Sequence, residues 1–89
     1  MQKLWSEKAW EDYTYWQTQD KKTLKRINKL IKEIERAAQD SSSPMGKAER
    51  LKYSKAGLCS VRIDQTNRLV YLIESKDVLA IISCRGHYR

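Results

Sequence analysis

Hydrophobic positions change their spacing once along this chain. In the first part they recur at steps of three and four; in the second they alternate. Gln2 to Trp5 predicts a short first strand. Ser6 then reads as a helix N-cap, with Glu7 in the first turn, where the helix dipole favours a negative charge. Ala9, Tyr13 and Trp16, with Trp10, fall at helical spacing. Asp20 is placed to cap a second, longer helix whose apolar stripe is Leu24, Ile27, Ile31, Ile34 and Ala38. Lys25, Lys29 and Lys32 fall on its opposite, solvated face.

Gln39 to Gly46 reads as a loop, because Ser41, Ser42, Ser43, Pro44 and Gly46 break the periodicity. Period two then predicts strands at Glu49 to Ser54, Leu58 to Asp64, Arg68 to Glu74 and Val78 to Arg85. Leu51 and Tyr53 share one face of the first of these. Cys59, Val61, Ile63, Leu69, Tyr71 and Ile73 are the inward positions of the next two. Connections this short, at Gln65-Thr66-Asn67 and Ser75-Lys76-Asp77, make neighbours antiparallel. The last strand is apolar on both faces and is expected inside the sheet. The expected fold is α+β: one domain over residues 1–89, β-α-α-β-β-β with a further strand at the end. Its two N-terminal helices pack on one face of a small antiparallel sheet, and the other face is partly open.

Pairing Asp64 with Arg68 across the first tight hairpin puts Arg62, Asp64, Arg68 and Val70 on one face, away from the helices. In the last hairpin, a two-residue turn after Glu74 brings Arg85 to that same face and a three-residue turn does not. The sequence leaves both open.

Charge sharpens this picture. Residues 1–44 carry nine basic and seven acidic side chains, and residues 45–89 carry nine and four. The net excess of +7 therefore lies mainly in the half that reads as sheet, which favours a polyanionic or acidic partner. No apolar run exceeds five residues, so no membrane span is expected, and Met1-Gln2-Lys3 does not lead into a signal peptide. Cys59 and Cys84 belong to no CxxC pair. They are expected to be reduced, half-buried strand residues of a cytoplasmic protein, with no zinc site and no cofactor.

The chain ends Cys84-Arg85-Gly86-His87-Tyr88-Arg89, with its one histidine directly after an apolar strand. Histidine gives and takes protons near neutral pH. Set beside Arg68 and Glu49, this tail suggests metal-free cleavage of RNA.

These residues resemble the YoeB/Txe branch of the RelE toxin superfamily. The matching pieces are Leu4-Trp5-Ser6, Trp10-Glu11-Asp12-Tyr13, Tyr15-Trp16, Ile27-Asn28-Lys29-Leu30-Ile31-Lys32, Glu49 with Leu51-Lys52, Arg62-Ile63, Arg68-Leu69-Val70-Tyr71, Cys84-Arg85 and His87-Tyr88. The resemblance implies a RelE-like fold and an endoribonuclease that cuts mRNA in the A site of the 70S ribosome. It implies neutralisation by a YefM/Axe-type antitoxin. By carry-over, Glu49 is the general base toward a ribose 2′-OH, Arg68 the phosphate clamp and His87 the general acid. Tyr88 positions the scissile phosphate or its base, and Lys52, Arg62 and Arg85 hold the RNA backbone. An arginine suits the clamp because its planar fork grips two phosphate oxygens and stays charged. Nearby cations lower the pKa of Glu49 and oppose protonation of His87, and bound phosphates reverse both effects.

The chain departs from the family pattern at five positions. Gly86 stands where an aromatic is common, Cys59 where Trp is frequent, Ala48 and Arg50 where prolines flank the Glu, and Arg89 extends the tail. Two other readings compete. One is a same-fold toxin that inhibits gyrase, which leaves Glu49, Arg68 and His87 unexplained. The other is a non-catalytic RNA- or ribosome-binding inhibitor, for which His87 is dispensable. The Trp and Tyr residues of the first helix are candidates for a homodimer contact.

Overall fold

A computed structural model of the chain describes residues 1–40, 49–50 and 57–86, with residues 40, 49 and 50 described by backbone alone. The loop expected up to Gly46 lies outside them beyond Asp40. So do Leu51, Lys52, Tyr53 and the rest of that expected strand, and His87, Tyr88 and Arg89. The elements run β1 (Gln2–Trp5), α1 (Glu7–Gln19), α2 (Lys21–Asp40), β2 (Glu49–Arg50), β3 (Cys59–Arg62), β4 (Arg68–Ser75) and β5 (Val78–Ser83).

Both helix starts are built as the sequence suggests. Ser6 Oγ accepts the Ala9 N–H at 3.0 Å and donates to the Ile82 carbonyl at 2.6 Å, so one hydroxyl caps α1 and ties it to β5. Asp20 Oδ1 accepts the N–H groups of Lys22 and Thr23 at the start of α2. The Thr23 hydroxyl donates to Asp20 Oδ2, and these bonds hold the Asp20 carboxyl below its ordinary pKa. α2 continues through Asp40, two residues into the expected loop, because Gln39 and Asp40 carry no helix-breaking geometry of their own.

The strand order is β1-β5-β4-β3-β2. β2 to β5 are antiparallel, as short connections require. The sheet is nevertheless mixed, since β1 lies parallel to β5, with Gln2 opposite Val78 and Trp5 opposite Ile81. Short loops force antiparallel pairing only between strands they join, and β1 and β5 are joined by nearly the whole chain. With neighbours on both sides, β5 is an interior strand, in agreement with its apolar character.

The core lies between the helices and one sheet face. Ile27, Leu30, Ile31 and Ile34 of α2 and Ala9 and Trp16 of α1 are buried against Val61, Ile63, Leu69, Tyr71, Leu79 and Ile81. Burial of each large aliphatic side chain contributes about 1.5–3 kcal/mol. Leu30 joins the expected stripe as a further buried residue. Trp10 does not: it is 52% exposed and stacks beside Trp5 and Tyr13 on the surface. Its place on the buried side of α1 is taken by Asp12, only 5% exposed. Ile73 is also exposed, at the outer end of β4 beside Glu74 and Ser75. Both cysteines are free and fully buried rather than half-buried. Among the described residues no helix is long and apolar enough to cross a membrane.

Candidate active site

Alternation along β3 and β4 sends Ser60, Arg62, Arg68 and Val70 to the face away from the helices. The pairing that puts them there differs from the expected one. Arg62, not Asp64, stands opposite Arg68. The reason is local. Asp64 Oδ1 accepts the N–H groups of Thr66 and Asn67 at 2.8 and 2.7 Å, and the Asn67 carbonyl accepts from Ile63 and Asp64. Asp64 is thus a turn residue, and its carboxylate is engaged within the turn. The ladder moves by two positions, which keeps every side chain on its expected face. Burial pulls the Asp64 carboxyl upward, but hydrogen bonds from Asn67 and Thr66 outweigh it and hold the pKa below its ordinary value.

The result is two guanidinium-bearing residues directly opposite each other. Like charges in that relation destabilise a sheet by about 0.2–1 kcal/mol. Arg62 is exposed and Arg68 half-buried, and Arg68 Nε donates to the hydroxyl of buried Ser60. Two cations on opposed positions of neighbouring strands suit a ligand with closely spaced anionic groups. β2 brings the backbone of Glu49 opposite Ser60, the residue that Arg68 contacts. Arg26, on α2, donates from Nε to the Ile63 carbonyl at 3.4 Å, just past the other end of β3. This face is less open than expected, because Ser60, Val70, Ala80 and Ser83 on it are buried.

The chain reaches this place again just after β5. Asp12 Oδ2 accepts the Cys84 N–H at 3.0 Å, and Trp16 Nε1 donates to the Cys84 carbonyl at 2.9 Å. Lys8 Nζ lies 3.0 Å from Asp12 Oδ2 and offsets its charge. Burial, with the Asp12 charge added, pushes the Cys84 thiol up to about 12, so it stays protonated near neutral pH. Two residues on, the Arg68 N–H donates to the Gly86 carbonyl at 3.0 Å. The Gly86 N–H donates to Asn67 Oδ1 at 2.8 Å. Gly86 has φ +85°, a backbone conformation that side-chain-bearing residues rarely adopt. The tail therefore departs from a tied point rather than a loose one.

Arg85 takes neither simple course that the last hairpin allows. Tyr71 to Ile73 pair in the register of a three-residue turn after Glu74, and a second shift follows at Val70. Arg85 lies past the strand, its guanidinium 3.6 Å from the centroid of the Tyr15 ring on α1. It is exposed, and the stack orients its charge beside the tail root. Of the residues expected at the site, Arg62, Arg68 and Arg85 are described with their side chains, and Glu49 by its backbone. Lys52, His87 and Tyr88 lie outside the described residues. Ser60, Asp12 and Asn67 join the site without a place in the sequence pattern that predicts it. Ser60 was legible as a polar residue between Cys59 and Val61. Nothing local marks the long-range partners of the other two.

The two-layer architecture is that of the small RelE-like bacterial toxins. A YoeB/ParE toxin from Agrobacterium tumefaciens superposes with a TM-score of 0.85 at 37% identity, over 99% of this chain and 100% of that one. The YoeB dimer from Staphylococcus aureus gives a TM-score of 0.83 at 40% identity, over 99% of this chain and 98% of that one. The YoeB–YefM complex from the same organism gives 0.82 at 39%, with the same coverage. Toxin YoeB of Synechocystis sp. is 48% identical over 89 residues, covering 100% of this chain and 99% of that one. A family model described as the YoeB-like toxin of a bacterial type II toxin–antitoxin system matches residues 5–88. The chain belongs to this YoeB-like toxin family.

Proposed function

We propose that this toxin is a ribosome-dependent mRNA endoribonuclease that cleaves in the A site of the 70S ribosome. RNA supplies its own nucleophile. Glu49 takes the proton from a ribose 2′-OH, whose oxygen attacks the adjacent phosphorus. Arg68 stabilises the charge on the phosphoryl oxygens, and His87 protonates the departing 5′-oxygen. The reaction needs no metal ion. Tyr88 positions the phosphate or the stacked base, and Lys52, Arg62 and Arg85 hold the backbone. The observation that carries this reading is the opposed pair Arg62 and Arg68, held beside the backbone of Glu49 and the root of the His87 tail. A general acid and base each contribute about 10²–10⁴-fold, so His87→Gln is the decisive variant.

The proposed partner is a YefM/Axe-type antitoxin whose acidic, partly disordered segment folds over the arginine face or the tail. The Staphylococcus aureus relative, solved with YefM and as a dimer, supports this partner and a homodimer as well. Exposed Trp10, with Trp5 and Tyr13, is the surface proposed for the second copy. Action on ribosomes places the activity in the cytoplasm.

The test is primer extension on mRNA in a purified translation system, with and without ribosomes. Codon-phased 5′ ends are expected, lost in His87→Gln and lost without ribosomes. Stalled translation on intact mRNA, unchanged by the substitution, would refute the nuclease and leave a binding inhibitor.

A further inference from the structure

One contact at the tail root has no part in the proposed chemistry. Asn67 Oδ1 accepts the Gly86 N–H at 2.8 Å. The other end of the same amide is aimed by Asp64: Asn67 Nδ2 donates to Asp64 Oδ1 and Oδ2, each at 3.1 Å, and the Asn67 backbone N–H donates to Oδ1 at 2.7 Å. A carboxylate only accepts, so it selects the NH₂ end of the amide and leaves the oxygen for Gly86. The next residue, Arg68, donates its backbone N–H to the Gly86 carbonyl at 3.0 Å. Consecutive residues 67 and 68 thus bind both sides of Gly86. Among the described residues other than its chain neighbours, no atom lies within 4 Å of the place a Cβ on Gly86 would occupy, so its φ of +85° and not crowding there favours glycine.

Covalent geometry carries this further. The Cα of the residue after Gly86 lies about 3.8 Å from its own, and that residue is His87. The contacts of Asn67 and Arg68 thus hold the last described residue, the one from which the chain goes on to His87, beside the backbone of the arginine proposed to hold the phosphate. We infer that Asn67 is a positioning residue: with its amide oriented by Asp64, it holds Gly86 so that the tail leaves the fold beside Arg68. This rests on the reading of His87 as general acid. It gives the Asp64–Asn67 turn a task beyond joining two strands. Misplacement of a catalytic group by about 1 Å costs up to about 10²-fold in rate, so a single hydrogen bond at this point has a large lever.

The test uses four variants of the full chain: Asn67→Ala, Asn67→Asp, the exchange Asp64→Asn with Asn67→Asp, and His87→Gln. Single-turnover cleavage of ribosome-bound mRNA is measured at saturating toxin, with ribosome affinity measured separately. Asn67→Ala is expected to lose about 10- to 100-fold in rate while ribosome affinity and the folded fraction stay native. Asn67→Asp sets two carboxylates face to face and also slows cleavage. The exchange restores an amide–carboxylate pair with an oxygen still facing Gly86, and recovers most of the native rate. A merely structural asparagine would change melting temperature but not the rate per folded molecule. A native rate in Asn67→Ala, with His87→Gln inactive, overturns the inference and leaves the acid assignment standing. Should His87→Gln cleave normally, the acid assignment falls, and hydrogen exchange of the Gly86 amide decides the rest. Faster exchange in Asn67→Ala then supports the positioning contact, and native protection overturns it.

Discussion

The two faces of the sheet are made of the same strands and obey opposite rules. Toward the helices, Val61, Leu69, Tyr71, Leu79 and Ile81 are buried among Ile27, Leu30 and Ile34. On the other side, Arg62 stands opposite Arg68, and a serine hydroxyl takes the hydrogen bond of the second. The first arrangement is what stability alone selects. The second is a local cost, of the kind that a folded chain keeps where something other than stability is served. Alternation along a strand lets both exist back to back without interfering, because neighbouring residues belong to different faces.

That separation is open to a direct challenge with two substitutions on neighbouring strands, one on each face. Leu79→Ala removes a fully buried side chain and is expected to cost about 2–5 kcal/mol. For a domain of this size each kcal/mol lowers Tm by about 4–8 °C. Cleavage per folded molecule stays within a few-fold of native. Arg68→Ala is expected to do the reverse. Tm is expected to fall less than in Leu79→Ala, because a half-buried side chain is removed rather than a fully buried one. Loss of a preorganised donor to the phosphate lowers the cleavage rate about 10²–10³-fold. Thermal melts and single-turnover cleavage on both variants check this. If Arg68→Ala unfolds the domain, or Leu79→Ala abolishes cleavage by folded molecules, the division between faces is wrong.

What could be read in advance follows the same physics. The long helix α2 has a clean apolar period, and its stripe was legible almost residue for residue. The faces of β3 and β4 were legible although their register was not, because a shift of two leaves parity untouched. The shift was hidden because Asp64 had two roles open to it, partner of an arginine or turn former, and only the turn's backbone N–H groups decide. α1 was the hardest element. Its buried side holds Asp12, whose reason is the Cys84 N–H at the far end of the chain. No window of sequence contains both. The parallel place of β1 was hidden in the same way. The chemical set was named through the family resemblance. Periodicity contributed the shared face of Arg62 and Arg68, and nothing more.

A gentler intervention keeps Arg68 and removes the like charge opposite it. Arg62→Ala is expected to leave Tm unchanged or raise it slightly, by relief of about 0.2–1 kcal/mol. Binding to ribosome-held mRNA weakens uniformly across codons. The dependence of log affinity on log salt becomes shallower by about one. Affinity measured across a salt series distinguishes a phosphate contact from a surface charge with no ligand. An unchanged slope removes Arg62 from the interface.

The smallest effect separates the hairpin end from the rest of the fold by pH. The folded Asp64 carboxyl lies below its ordinary 3.8, because hydrogen bonds from Asn67 and Thr66 outweigh the effect of burial. The unfolded chain then binds a proton more readily than the native one. Stability from this group is fully present above the unfolded value and is lost as pH falls through the folded one. Asp64→Asn keeps an acceptor oxygen for the backbone N–H groups of Thr66 and Asn67 but cannot titrate. Denaturant melts between about pH 5 and about pH 2 should therefore fall less steeply in the variant than in the native chain. The difference is modest because the group is exposed and screened. Asp20, lowered through Thr23, titrates in the same direction and remains in both proteins as an internal reference. Because Asp64 also aims the Asn67 amide at Gly86, acid should loosen the tail root before it loosens the core. The Gly86 amide should lose protection at a higher pH than the amides of Leu69 and Ile81. Simultaneous loss at all three would mean that the hairpin end and the helix-covered face respond to acid as one unit.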